Sequence, residues 1–377
     1  MITVGILFGG KSAEHEVSLQ SAKNVYEAID RSRYEPVLIG IDKNGIWRST
    51  GDSLTLLNSG DPRLISLNPS GDPVALIPES QGLLCRPGLL YKPGLLCRPD
   101  PHYPLTTNHY PLINVIFPIL HGPFGEDGTA QGLLKLAGVP FVGSGVLGSA
   151  AGMDKDVMKR LLRDAGIPIG KFFTFRRHET IPPFAEITAA LGCPVFIKPA
   201  NMGSSVGISK VHDESEFSVS IDEAFQYDTK IIIEEFVKGR EIECAVLGNE
   251  YPEASVPGEV IPTHEFYSYD AKYLDENGAV LEIPAKLDDE SQKRVRELSV
   301  KVFQTLCCEG LSRVDFFLRE DGELLVNEIN TMPGFTKISM YPKLWEATGI
   351  GYTELISRLL ELAMERFEKE QAIKISR

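Results

Sequence analysis

Residues 313–330 carry the densest chemistry in the chain. The run Arg313-Val-Asp-Phe-Phe-Leu-Arg-Glu leads into Asp321-Gly322 and out through Glu323-Leu-Leu-Val-Asn-Glu-Ile-Asn330. Asp-Gly between two apolar runs predicts a two-residue hairpin loop. With that loop, Asp315 faces Glu328 and Arg313 faces Asn330, all four on one face, while Val314, Phe316 and Leu318 take the other. Two carboxylates directly opposite each other repel unless a cation or a proton sits between them. An Asp, a Glu and an Asn oxygen converging on one spot suit Mg²⁺ or Mn²⁺, hard cations that bridge phosphates. A solvated hairpin face with ordinary surface charges is the alternative.

A second constellation is Lys198-Pro-Ala-Asn-Met-Gly-Ser-Ser-Val-Gly207. A lysine closing a strand, followed by glycines and hydroxyls, presents a point charge and backbone N–H groups to phosphates. It matches neither G-x-x-x-x-G-K-[ST] nor G-x-G-x-x-G, and a plain hairpin turn is the other reading. Ser12-Ala-Glu-His-Glu-Val-Ser18 follows the first strand, at the carboxyl end of a sheet where α/β proteins bind ligands; helix capping explains it equally well. Phe266-Tyr-Ser-Tyr-Asp-Ala-Lys-Tyr273 carries four aromatics and a lysine. It reads either as a loop pinned by apolar anchors or as a lid carrying Lys272 and Tyr273 over a site.

The elements that must hold these residues follow from the apolar pattern. A buried strand at residues 3–8, Gly9-Gly10, a helix with Val17, Ala22, Val25, Ala28 and Ile29, and a strand at 36–41 form an α/β unit with a parallel sheet. Residues 49–110 lack periodicity and contain a tandem hexapeptide, Gly82-Leu-Leu-Cys-Arg-Pro87, Gly88-Leu-Leu-Tyr-Lys-Pro93 and Gly94-Leu-Leu-Cys-Arg-Pro99. A proline every six residues forbids helix, which predicts a surface insertion or hairpin without chemistry. A strand at 113–120 ends at His121-Gly, and a helix follows from 129 to 137. Another helix spans 154–165, stopped by Gly166 and Pro168. Strands are expected at 195–198, 207–211, 230–237, 243–247, 313–318 and 324–330, with helices at 288–306 and from 353. Three α/β or α+β lobes fit this order: an N-terminal domain at 1–121 with the 49–110 insertion, a central lobe at 122–212 and a C-terminal lobe at 213–377.

Composition bounds the function. The 377 residues carry a net charge of −14, which argues against binding a nucleic-acid backbone. No apolar run approaches the ~18–20 residues of a membrane span, and the start, MITVGILFGG, lacks the basic region of a signal peptide. The six cysteines show no CxxC spacing, as expected of reduced thiols in a cytoplasmic protein.

Together these motifs resemble the D-alanine–D-alanine ligases of the ATP-grasp superfamily. The resemblance covers nearly the whole chain outside 49–110 and rests on seven collinear motifs. They are Gly9-Gly10-x-Ser-Ala-Glu-x-Glu-Val-Ser; His121-Gly with Gly125-Glu-Asp-Gly; Met153-Asp-Lys; Lys198-Pro with Gly203-Ser-Ser-Val-Gly; Tyr269-x-Ala-Lys-Tyr273; Arg313-x-Asp315; and Glu328-x-Asn330-x-x-Pro-Gly334.

The resemblance implies that ATP lies between the central and C-terminal lobes, with Lys155 and Lys198 on its phosphates. It puts Gly203, Ser205 and Phe317 around the nucleotide, Glu234, Glu235, Phe236 and Val237 along the adenine, and Glu241 on the ribose. Asp315, Glu328 and Asn330 would hold two Mg²⁺ (or Mn²⁺) ions. The first D-alanine's carboxylate would attack the γ-phosphate to give an acyl phosphate. The second's amine would then attack the carbonyl, with Arg313 and the Gly334 amide on the oxyanion. Glu14 would bind the first ammonium, with His121 nearby, and Ser339 and Met340 the second carboxylate. Glu14, Ser204 and Tyr273 would form a hydrogen-bonded set, and Lys272 would reach the γ-phosphate. Tyr273 favours a D-alanine acceptor; D-lactate or D-serine is the alternative. A homodimer is also implied.

Overall fold

The computed structural model describes residues 1–49, 57–58, 65–68, 72–79, 82–87, 112–262 and 279–374. They form two compact units. The first comprises Met1–Gly143, Gly334–Pro342 and Ile350–Arg377, and the second Ser144–Pro333 and Lys343–Gly349. The expected lid residues Lys272 and Tyr273 and the second and third hexapeptide copies lie outside the described residues.

The first unit grows from β1 (Ile2–Gly9), whose side chains after Ile2 are all buried. A strand covered on both faces reads as one apolar run rather than an alternation, which is why ITVGILFG was legible. It pairs in parallel with β2 (Tyr34–Ile41) through α1 (His15–Ala28). On the β2 side the sheet continues antiparallel. Strand β3 (Trp47–Ser49) pairs β2 and β6 (Asp72–Glu79), while β4 (Leu57–Asn58) and β5 (Ser66–Leu67) make a separate pair. The first hexapeptide copy is β7 (Gly82–Pro87), the return strand of a hairpin with β6, so at least that part of the insertion extends the sheet.

The expected strand at 113–120 is two: β8 (Leu112–Ile113) against β7, and β9 (Val115–Ile119) parallel to β1. Asn114 makes the break, because its Oδ1 accepts from Thr3 N at 2.9 Å while its own N–H donates to Thr3 O at 2.9 Å. Helix α2 (Thr129–Leu136) completes this side of the core with Ala130 and Leu134.

The second unit holds two antiparallel sheets with separate cores. Helices α3 (Val146–Met153) and α4 (Lys155–Asp164) lead into β10 (Phe172–Arg176), α5 (Phe184–Leu191), β11 (Val195–Pro199) and β12 (Ser209–Val211). After α6 (Glu214–Tyr227), β13 (Lys230–Glu235) returns between β10 and β11. The expected lobe boundary at residue 212 therefore falls inside one sheet. The core of this sheet joins Ile187, Val195, Ile197, Phe217, Ile231 and Ile233.

The larger sheet runs β17 (Ala279–Glu282), β16 (Gly258–Pro262), β14 (Arg240–Gly248), β18 (Gly310–Leu318), β19 (Leu324–Asn330), with β15 (Glu253–Ala254) beside β14. One face packs on α4 and on α7 (Asp289–Thr305) through Met158, Leu162, Val302, Phe303, Val314 and Phe316. Helices α8 (Met340–Thr348) and α9 (Tyr352–Gln371) close the chain. Helix α9, expected in the third lobe, packs in the first unit, where Arg366 donates to the carbonyls of Phe141 and Gly143.

Gly9 marks the turn out of β1. Its φ is +90°, and a Cβ there would lie 2.2 Å from Ile41 O, the same carbonyl that accepts from Gly10 N at 2.8 Å. Gly9→Ala is expected to cost about 3 kcal/mol of unfolding free energy or more, from backbone strain added to overpacking. Urea unfolding of the variant checks this, and an unchanged midpoint refutes it.

Candidate active site

Helix α4 is buried on two sides. Met158 and Leu162, one turn apart, enter the core of the larger sheet, whereas Lys155, Asp156 and Lys159 are buried as charges. Strand alternation prepares the surface they meet. In β11 and β13, Val195, Ile197, Ile231 and Ile233 take the apolar core, leaving Lys198 and Glu234 on the opposite face. Lys198 Nζ donates to Glu234 Oε2 at 2.7 Å, and Lys159 Nζ lies 3.2 Å from Glu234 Oε1. Burial alone would lift the Glu234 carboxyl, but the Lys159 and Lys198 charges outweigh it and hold it at about 2. Burial pulls Lys159 below the ordinary lysine range. On Lys198 burial acts the same way, yet the carboxylates of Glu234, Glu328 and Glu241 overcome it and raise the lysine.

Lys155 reaches the turn between β11 and β12. Its Nζ donates to Met202 O at 2.7 Å and stands 3.8 Å from Glu328 Oε2, while its own N–H bonds Ala200 O. Within that turn Ser204 and Ser205 have φ of +51° and +61°, and Val206 N donates to Gly203 O. Two successive positive φ values closed by such a bond make a type I′ turn, normally built from glycine or asparagine. At the start of α4, Lys230 Nζ bonds Asp154 Oδ1 at 2.7 Å and Asp156 Oδ2 at 3.2 Å, which locks the helix to β13.

On the larger sheet, Arg313 pairs with Asn330 and Asp315 with Glu328, as the sequence predicts, but by another route. The loop is three residues, 320–322, with Gly322 at φ +84° and Arg319 N bonded to Glu323 O. That loop shifts the pairs next to it by one, so Phe316 meets Val326. A bulge at Asn327 then restores the register at the site. Arg313 grips Asp315 with two bonds, Nε to Oδ1 and Nη2 to Oδ2, both 2.7 Å, and Asn330 Nδ2 donates to Asp315 Oδ2 at 3.0 Å. Glu241 and Glu243 of β14 share this face, paired across from Phe317 and Asp315. Among the described residues no three His, Cys, Asp or Glu side chains form a group that could hold a metal ion by themselves. The donor set is two carboxylates and an amide oxygen, hard ligands that fit magnesium or manganese completed by phosphate and water.

At the end of β13, Glu235 accepts from Lys171 N at 2.7 Å and pairs with Arg319; beyond it Val237 is buried, and Phe236 is exposed beneath the Lys210 ammonium. In the first unit, Glu14 and His121 are buried, and a Cβ on Gly122 would lie 2.5 Å from Glu14 Oε2. Ser21 Oγ joins two expected segments: it lies 3.4 Å from His121 Nε2 and accepts from Phe335 N at 3.4 Å. Phe335 is fully buried, edge-on to Phe117. This anchors the turn in which Ser339 Oγ bonds Thr336 N and would lie 3.2 Å from a Cβ on Gly334. Met340 follows, buried at the start of α8.

Family models for the D-ala D-ala ligase N-terminus and C-terminus match residues 3–144 and 161–361. The chain belongs to the D-alanine–D-alanine ligase family. It is 54% identical to the D-alanine–D-alanine ligase of Shouchella clausii over 99% of this chain and 97% of that one. The D-alanine–D-alanine ligase structure from Coxiella burnetii superposes with a TM-score of 0.82 at 34% identity, covering 98% and 96% of the two chains. The VanG D-Ala:D-Ser ligase from Enterococcus faecalis gives 0.80 at 36%, covering 96% and 99%. The fold is thus the ATP-grasp fold.

Two residues of this ligase-family site escaped the sequence reading. Lys159 stands one helical turn after Lys155, and like charges four apart on one helix face repel, which signals that each has a partner of its own. Glu243 alternates with Glu241 on β14, and the apolar residues Ile242, Cys244 and Val246 between them gave that periodicity.

Replacing Glu234 by Gln leaves two buried ammonium groups without their carboxylate, at an expected cost of about 3–5 kcal/mol near pH 7. In the wild type the Glu234 contribution is complete above its ordinary value of 4.5 and is lost as pH falls towards 2. The variant lacks that acid limb. It regains stability as pH rises towards 10.5, the ordinary lysine value, because the folded state, which holds Lys159 below that value, sheds its proton before the unfolded chain does. Denaturant titrations across pH check both arms.

Proposed function

We propose that the chain catalyses the ATP-dependent joining of two D-alanine molecules into D-alanyl-D-alanine through an acyl phosphate, supplying peptidoglycan precursor. The relationship to curated D-alanine–D-alanine ligases across 99% of the chain carries this reading, and the clustered charges of the second unit support it.

In this reading Lys155 and Lys198 bind the nucleotide phosphates, and the Gly203–Ser205 turn offers them backbone N–H groups. Residues 234–237 and Phe317 flank the adenine and Glu241 takes the ribose. The buried Glu234 side chain supports the phosphate role of Lys198, by fixing its ammonium. Asp315, Glu328 and Asn330 would hold two divalent ions, which neutralise phosphate charge when bound. Glu14 binds the ammonium of the first D-alanine, beside His121. The carboxylate of that D-alanine attacks the γ-phosphorus, and ADP leaves. Ser339 and Met340 hold the second D-alanine by its carboxylate, so that its amine attacks the acyl phosphate. Arg313 and the Gly334 N–H stabilise the oxyanion before phosphate departs. Lys272 is proposed for the γ-phosphate, Tyr273 with Glu14 and Ser204 for acceptor selection. Separate cores in the second unit support a central and a C-terminal lobe beside the N-terminal one, with the central lobe extended to residue 235. Action in the cytoplasm as a homodimer completes the proposal; among the described residues no helix is long and apolar enough to cross a membrane.

The test is phosphate release from ATP with Mg²⁺ and D-alanine, with L-alanine, D-serine and D-lactate in parallel. Release with D-alanine alone, with dipeptide in the product, is expected. Stimulation only when D-serine or D-lactate is added reassigns the acceptor. Glu328→Ala is expected to lower turnover by a factor of about 10³ or more with an unchanged fold; wild-type turnover at saturating Mg²⁺ sinks the metal role.

A further inference from the structure

We propose that Glu243 is a positioning residue for the ligation chemistry, one that holds Arg313 so that Asp315 is left able to serve a metal ion. The inference rests on the function proposed above.

Three carboxylates stand in register across three adjacent strands, Glu243 of β14 opposite Asp315 of β18, and Asp315 opposite Glu328 of β19. The Arg313 guanidinium sits between the first two. Its Nε lies 2.8 Å from Glu243 Oε2 as well as 2.7 Å from Asp315 Oδ1. Asp315 thus takes three donors on its two oxygens: Nε on Oδ1, and Nη2 together with the Asn330 amide on Oδ2. A carboxylate offers about four lone-pair positions, so Asp315 is close to saturated by the arginine and the asparagine.

An oxygen ligand that must also serve a cation cannot be the arginine's sole anchor. If it were, a cation at Asp315 would leave a guanidinium with only 19% of its side-chain surface exposed without a counter-charge. Glu243 removes that conflict. It approaches Arg313 from the neighbouring strand as an ion pair: the single Nε–H is given to Asp315, and Glu243 Oε2 accepts no hydrogen bond among the described residues. When Asp315 gives up that bond, Glu243 offers the N–H an acceptor. The planar guanidinium then stays oriented by one edge while its other N–H groups meet a developing oxyanion. Without Glu243, arginine and metal compete for the same two oxygens.

The experiment compares the full-length wild type with E243A and E243Q. Wild-type dipeptide synthesis is measured first; its failure would count against the proposed reaction and not against Glu243. Mn²⁺ binding is then read by electron paramagnetic resonance in the presence of a non-hydrolysable ATP analogue, alongside kcat, the KM for each substrate and thermal unfolding. E243A is expected to weaken Mn²⁺ binding about tenfold. It should lower kcat about a hundredfold, as a misplaced catalytic group does, while the KM for ATP stays within about threefold. E243Q, which keeps an acceptor for Nε, is expected to recover much of both losses. Wild-type Mn²⁺ affinity and kcat in both variants overturn the proposal. So do losses that track thermal stability alone, or a glutamine variant no better than alanine. Should E243A fail to fold, the Mn²⁺ affinity of E243Q relative to wild type decides, with a wild-type value counting against it.

Discussion

Ammonium groups are stable in a protein interior only beside a counter-charge, and in the second unit Glu234 provides one carboxylate for two lysines. Helix α4 depends on it. The side of the helix bearing Met158 and Leu162 is fixed by the core of the larger sheet, so the opposite side must bury Lys155 and Lys159. Lys159 turns to Glu234, Lys155 to a loop carbonyl and towards Glu328. Removing the shared carboxylate would therefore disturb more than one ion pair, since the helix that carries the lysines also joins the two sheets. Lys230, clasped by Asp154 and Asp156 at the helix start, repeats the device with the signs reversed.

The larger sheet separates its two tasks by parity. Even-numbered residues of β14 and β18, such as Ile242, Cys244, Val314 and Phe316, face the helices, and the odd ones, Glu241, Glu243, Arg313 and Asp315, take the opposite face, that of the proposed site. So many carboxylates on one surface are tolerated because Arg313 bridges two of them and Lys155 approaches a third. The arginine is raised well above its ordinary range: burial opposes this, and the charges of Asp315 and Glu243 overcome it. It is a fixed cation under any physiological condition.

Much of this was legible in the sequence, for stated reasons. Pairing of Asp315 with Glu328 followed from the Asp-Gly signal and strand alternation. The local geometry did not, because a three-residue loop and a bulge at Asn327 offset each other, and no residue type announces a bulge. The buried strand β1 was plain, whereas the break at Asn114 depends on a hydrogen bond to a strand more than a hundred residues away. Helices α3, α5, α6 and α8 were missed: α3 is glycine- and alanine-rich, with little contrast between its faces. Lys159 was visible but unexplained until its carboxylate partner arrived from another element.

Ser204 and Ser205 leave a last consequence. Both hold a left-handed backbone that L-residues disfavour by about 1–2 kcal/mol each, and the Lys155 bond to Met202 O keeps the turn in place. The conformational entropy of that segment is thus surrendered during folding and not during association. Under the proposed role, a phosphate arriving there would meet a turn already formed, so its affinity would owe little to ordering the loop, and glycine at either position would loosen the complex while relaxing the free protein.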